Sequence, residues 1–156
     1  MGFWERLVGP SLTQSKDVRR LQDELAANYR EEARLARQIR AHADRSPHKA
    51  GAQALRSVAD EQDRLVHTLQ QKVVEFGEEA SDADGPLKEG NNHWARVVHD
   101  LEDSQALGKR YNEQGIYWDP DRPDAVTLFR TLERGKHRIN GMLREIVVRA
   151  DPHAID

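Results

Sequence analysis

Four stretches of this chain repeat one pattern: inward-phased apolar side chains at steps of three and four, on segments otherwise dense in charge. The clearest runs through Leu55, Val58, Leu65, Leu69, Val73 and Phe76, with Gln62 in the same phase. Such steps put side chains on one face of an α-helix and exclude the alternation of a half-buried strand. A second stripe reads Val18, Leu21, Leu25, Asn28, Glu32, Leu35, Ile39 and His42. A third reads Trp94, Val97, Val98, Leu101, Ser104, Leu107, Gly108 and Tyr111, and a fourth Phe129, Leu132, Lys136, Ile139, Leu143 and Ile146. Hydrophobic residues make up 37% and charged residues 33% of the 156, which suits helices that each bury a single stripe. The expected fold is all-α, a four-helix bundle.

Local signals set the boundaries. Residues 1–10 carry Phe3, Trp4, Leu7 and Val8 before Gly9-Pro10, and read as a short apolar segment that packs on the bundle end or docks on a partner. The bundle then covers 11–151. Ser11-Leu12-Thr13-Gln14 has the form of a capping box, and Ser46-Pro47 of a cap followed by a first-turn proline. Gly77 suits a helix stop, Asn91-Asn92 a cap, and Pro123-Asp124 a start. The expected helices span about 12–45, 47–76, 92–114 and 123–149. One long connection, 77–91, lies between the second and third. About 15 residues can reach about 50 Å, enough either to cross the bundle lengthwise or to form a loose hairpin. The connection with Tyr117 and Trp118 is expected to cover a bundle end. Its Asp119, Asp121 and Asp124 lack the spacing of a calcium loop.

Several function classes find no support. The net charge of −3 gives no global basic field for nucleic acid. Arg30, Arg34, Arg37 and Arg40 are interleaved with acids and read as a solvated face; His99 and Glu102 read as surface residues. The absence of cysteine excludes disulfides, thiolate catalysis and iron–sulfur clusters. No apolar run is long enough for a membrane span, and Met1–Val8 is too short and polar for a secretory signal, so a cytoplasmic location is expected. No nucleophile motif or glycine-rich phosphate loop is present.

The informative residues are the polar ones in the stripes. Glu32 and Lys136 each fall near the middle of an inward face, as do Gln62 and Ser104. A buried carboxylate needs a cation, a metal or a proton.

Four long helices with one long middle connection resemble the ferritin-like superfamily, in particular rubrerythrin-type bundles. The resemblance rests on Asn28–Ala36, Ala59–Leu65, Trp94–Ser104 and Leu132–His137, and covers about 18–149. It implies a di-iron site built from inward Glu and Glu-x-x-His pairs. Glu32 and Glu133 match family ligands. Gln62 and Leu65 stand where Glu and His belong, Ser104 stands at or near a ligand Glu, and the fourth helix offers Glu133-x-x-Lys136 with His137 one position late. Two readings follow. In the first, the metal site is lost or remodelled, no cofactor is bound, and Lys136 neutralises Glu32 and Glu133 in a polar layer with Gln62 and Ser104. The protein is then a non-catalytic structural or interaction protein that self-associates or binds a protein partner. In the alternative, a shifted site of Glu32, Glu61, Glu133 and His137, with His67 as a further donor, holds iron or manganese for ferroxidase- or peroxidase-type chemistry. That alternative requires Glu61 and Glu133 to point inward together.

Overall fold

The computed structural model describes residues 3–81 and 85–156, with side chains in the first helix from Asp17 onward. The elements are α1 (Phe3–Asp44), α2 (Lys49–Glu75), α3 (His93–Trp118) and α4 (Pro123–Arg149), and no strand occurs among the described residues. The four inward stripes bury Leu21, Leu25, Leu35 and Ile39 of α1 against Leu55, Val58, Leu69 and Val73 of α2, Val97, Leu107 and Tyr111 of α3, and Phe129, Leu132, Ile139 and Leu143 of α4.

Side-chain pairs fix the directions. Along α1 and α2, Gln22 donates to the Phe76 carbonyl, Glu32 meets Gln62, and Arg40 meets Asp60 and Asp63. Along α1 and α3, Glu24 meets Trp118, Asn28 meets Gln114, and His42 meets Asp100. Gln62 and Glu61 of α2 meet Lys136 and Arg138 of α4, and Gly108 and Gly115 of α3 lie against Lys136 and Arg130 of α4. Every neighbouring pair is therefore antiparallel. The α1/α4 and α2/α3 pairs run parallel across the diagonals.

Parallel α2 and α3 require the connection between them to return along the bundle. Glu78 lies 3.6 Å from Arg19, Gly85 sits beside Arg34, and the Lys88 amide donates to Gln38 Oε1 at 2.9 Å. From Arg19 to His42 is about 35 Å of helix, and the described parts of the connection meet α1 at the levels of Arg19, Arg34, Gln38 and His42. Its start is set by Gly77, whose φ of +87° only glycine adopts without strain. The Gly77 amide reaches the Val74 carbonyl at 2.9 Å and the Glu78 amide the Val73 carbonyl at 3.1 Å, satisfying two of the last carbonyls of α2. At its far end Asn92 Oδ1 accepts from the Ala95 amide at 2.8 Å and caps α3.

Three boundaries differ from those expected. The α1 backbone is helical from Phe3, through Gly9-Pro10, where a break was expected. Proline deletes one backbone bond there, a small loss in a helix of 42 residues. The expected packing of Phe3, Trp4, Leu7 and Val8 and the Ser11–Gln14 cap concern side chains outside the described residues. Second, α2 starts at Lys49 after His48 rather than at Pro47, and Ser46 Oγ bonds the His48 carbonyl instead of capping an amide. Third, α3 continues to Trp118 instead of stopping at Gln114. Gly115 packs against the Arg130 guanidinium, and Trp118 extends the stripe of Leu107 and Tyr111 into the core. Trp118 is thus buried in helix, its Nε1 donating to Glu24 at 2.8 Å, while Tyr117 stays half-exposed under the Arg20 guanidinium.

Candidate functional site: a buried polar layer

Midway along the bundle, each helix contributes one polar side chain to a single layer. Glu32 comes from α1, Gln62 from α2, Tyr111 from α3 and Lys136 from α4, and all four are fully buried. Each occupies the helical phase of its neighbouring apolar residues, so burial follows from the same periodicity that makes the core.

The bonding closes on itself. Lys136 Nζ lies 2.6 Å from Glu32 Oε2 and donates to Gln62 Oε1 at 2.7 Å. Gln62 Nε2 donates to the same Glu32 Oε2 and to the Glu32 backbone carbonyl at 3.0 Å. Tyr111 donates its hydroxyl to Glu32 Oε1 at 2.7 Å. The carboxylate thus accepts from three side chains while its charge is matched across the α1/α4 diagonal. Burial, then the Glu32 charge and hydrogen bond, push the Tyr111 hydroxyl pKa far up, so the phenol stays a donor. Burial pulls the Lys136 pKa down, against the Glu32 carboxylate that favours the ammonium.

Ser104 is fully buried, but its Oγ has no hydrogen-bond partner among the described residues; Asn140 Oδ1 is likewise buried and unpartnered. Glu133 lies apart from Lys136 and bonds Arg130 at 3.0 Å in the α3/α4 groove that it lines with the exposed His137. Glu61 sits on the other flank of α4, against Arg138 at 3.2 Å and Arg64 at 2.6 Å. Glu61 and Glu133 therefore do not point inward together, and His67 is exposed. Of Glu32, Glu61, Glu133 and His137, only Glu32 enters the core. Among the described residues no group of three or more His, Asp or Glu side chains is placed to hold a metal ion. The Glu32 carboxylate is already paired with the Lys136 ammonium, and Leu65, on the inward face of α2, carries no donor.

Parts of the buried polar interior were not anticipated, Tyr111 and Asp100 among them. Tyr111 reads as an apolar stripe residue, although a buried phenol requires an acceptor and Glu32 was the inward candidate. Nearer the end where α3 begins, Asp100 is fully buried. It lies 2.8 Å from His42 Nδ1 and accepts from Gln38 Nε2 at 2.9 Å. His42 Nε2 lies 2.8 Å from the Lys88 carbonyl, a contact that ties the long connection to the core. Burial raises the Asp100 pKa, against the hydrogen bonds from His42 and Gln38. The spacing Val97–Asp100–Ser104 is the one sign in the sequence that Asp100 faces inward.

Comparison with protein-family models, with curated proteins and with solved structures finds no match to this chain.

Proposed function

We propose that the chain is a ferritin-like bundle in which a cation of the protein itself has taken the place of metal, and that it serves as a non-catalytic structural or interaction protein. The observation that carries this reading is the 2.6 Å contact of Lys136 Nζ with Glu32 Oε2, both fully buried. In a metal-bearing bundle, cations neutralise the carboxylates crowded in the core. Here the inward carboxylate of the central layer is already neutralised and hydrogen-bonded. The topology supports the superfamily assignment: two antiparallel helix pairs joined by one lengthwise crossover is the arrangement of ferritin-like bundles.

The interaction role draws support from Val74, Ile116 and Tyr117, exposed at one end of the bundle. The partner on this reading is a second copy or another protein. A net charge of −3 disfavours nucleic acid, and no helix of the described residues is long and apolar enough to cross a membrane. A cytoplasmic location belongs to the same proposal.

The test is metal content per chain by plasma mass spectrometry, on untagged protein grown with added iron and manganese and purified without chelator. Less than about a tenth of an equivalent is expected. One or two equivalents, lost on Glu133→Ala, would overturn the reading. Sedimentation velocity over a range of concentrations tests self-association.

A further inference from the structure

At the end of the bundle where α3 begins, the 45–48 turn, the start of α3 and the segment after α4 enclose a cavity of about 540 Å3. This falls within the range of small-molecule sites. Ala50, Ala54 and Val58 of α2 and Met142 and Ile146 of α4 form its apolar walls. Its polar end is at His93 and Asp156, and Glu145, Arg149 and Asp151 carry the charges at its rim.

Behind that polar end lies a cation that the core cannot neutralise by itself. Arg96 is 1% exposed, and its Nη1 and Nη2 donate to the carbonyls of Gly90 at 3.3 Å and Arg45 at 3.1 Å. Neither acceptor carries charge. The counter-charge is the Asp156 side chain, whose Oδ2 pairs with Arg96 Nη2 while Oδ1 accepts from the His93 amide at 3.2 Å. One carboxylate thus sits between a buried guanidinium and the first turn of a 26-residue helix, an arrangement suited to anions. Burial opposes ionisation of Asp156, but the bonds from Arg96 and His93 outweigh it and hold the pKa low. Arg96 Nε, a donor, and His93 Nδ1 are buried without partners among the described residues.

We propose that this end of the bundle is a binding site for an amphiphilic monocarboxylate. The ligand's carboxylate replaces that of Asp156 at Arg96 and the His93 amide, and its alkyl chain fills the cavity between α2 and α4. Asp156 lines the cavity and carries the head group that such a ligand would present. It acts as a tethered competitor, at an effective concentration in the millimolar range. The segment from Asp151 to Asp156 is held to Asn92 by two bonds, to the Pro152 carbonyl at 3.0 Å and the Ala154 carbonyl at 3.1 Å. Release of Asp156 therefore need not free the whole segment.

The experiment is calorimetric titration of the full chain with sodium decanoate below its micellar concentration. Octanoate, 1-decanol and decylamine are run alongside. The wild type should bind decanoate, about threefold to fourfold tighter per CH2 than octanoate. Asp156→Asn should bind it about tenfold tighter, because the competing carboxylate is gone. Ala54→Phe, which fills the cavity and leaves Arg96 untouched, should abolish binding. If Asp156→Asn lowers the melting temperature by leaving Arg96 unpaired, saturating decanoate should restore it. The proposal is overturned if Asp156→Asn binds no tighter than the wild type or is not restored by decanoate. Equal binding of decanol or decylamine, or full binding by Ala54→Phe, overturns it as well.

Discussion

Lys136→Met removes the ammonium and keeps most of the side chain's length and apolar stem. Glu32 is then left in the core with Tyr111 and Gln62 as its donors and no opposing charge. Breaking one side of a buried ion pair costs about 3–5 kcal/mol. An independent route gives a similar figure. The stranded carboxylate escapes its charge by holding a proton. From the ordinary glutamate value of about 4.3, doing so at pH 7 costs about 1.36 kcal/mol for each of about 2.7 pH units, or about 3.7 kcal/mol. The two routes differ in what they imply for pH. In the folded variant Glu32 keeps a proton that the unfolded chain has lost, so stability falls as pH rises. The deficit against wild type should be about 3.7 kcal/mol at pH 7 and about 1 kcal/mol at pH 5. Urea denaturation followed by circular dichroism at both values measures it. Adding Glu32→Leu should abolish the pH dependence of the deficit and recover part of the loss, because the Tyr111 hydroxyl then lacks its acceptor at a cost of about 1–3 kcal/mol. A deficit below about 1 kcal/mol at pH 7 that stays flat down to pH 5 would refute the charge-compensated layer.

Two further predictions concern the long connection. The Asp103 carboxyl, 10% exposed, resists ionisation through burial, yet its bonds from Lys88 and Arg34 hold the pKa below the ordinary value. Its stabilising effect is therefore present above pH 3.8 and lost as pH falls further. Asp103→Asn should cost about 1 kcal/mol at pH 7 and flatten the acid limb below pH 4, read from thermal melts between pH 2 and 7. Gly90→Ala places a Cβ 2.7 Å from the Arg96 backbone nitrogen, which cannot move without disturbing the start of α3. It should cost about 1–3 kcal/mol and raise hydrogen exchange at the α3 N-terminus, whereas Gly141→Ala, with open space around it, should be neutral or slightly stabilising.

Helix number and inward faces were legible because each stripe repeats over about five turns or more. Glu32, Gln62 and Lys136 could be placed inside by phase alone. What phase cannot supply is which helices are neighbours. Tyr111 bonds Glu32 across 79 residues, and Lys136 bonds Gln62 across 74. These pairings exist only because the connection crosses lengthwise, which its length permits without requiring. Arg96 was missed for a related reason. It lies one residue before Val97 in the stripe, and its acceptors are two carbonyls and Asp156, none of which forms a pattern in the sequence. The α3 end was misplaced because glycine at 115 has the composition of a stop, while its surroundings, the flat Arg130 guanidinium, favour a residue without a side chain.

The crossover gives the central layer a consequence for assembly. Glu32 and Gln62 belong to one helical hairpin, Tyr111 and Lys136 to the other, and each hairpin can form from local sequence. Until the hairpins meet, each charge remains hydrated. Once they meet, apolar stripes of leucine and isoleucine would accept a slide of one helical turn, about 5.4 Å, at modest loss. The charges would not: such a slide would bury Glu32 and Lys136 apart from each other. The layer thus works as a register lock between the two halves, specifying one alignment out of several that hydrophobic burial alone would tolerate.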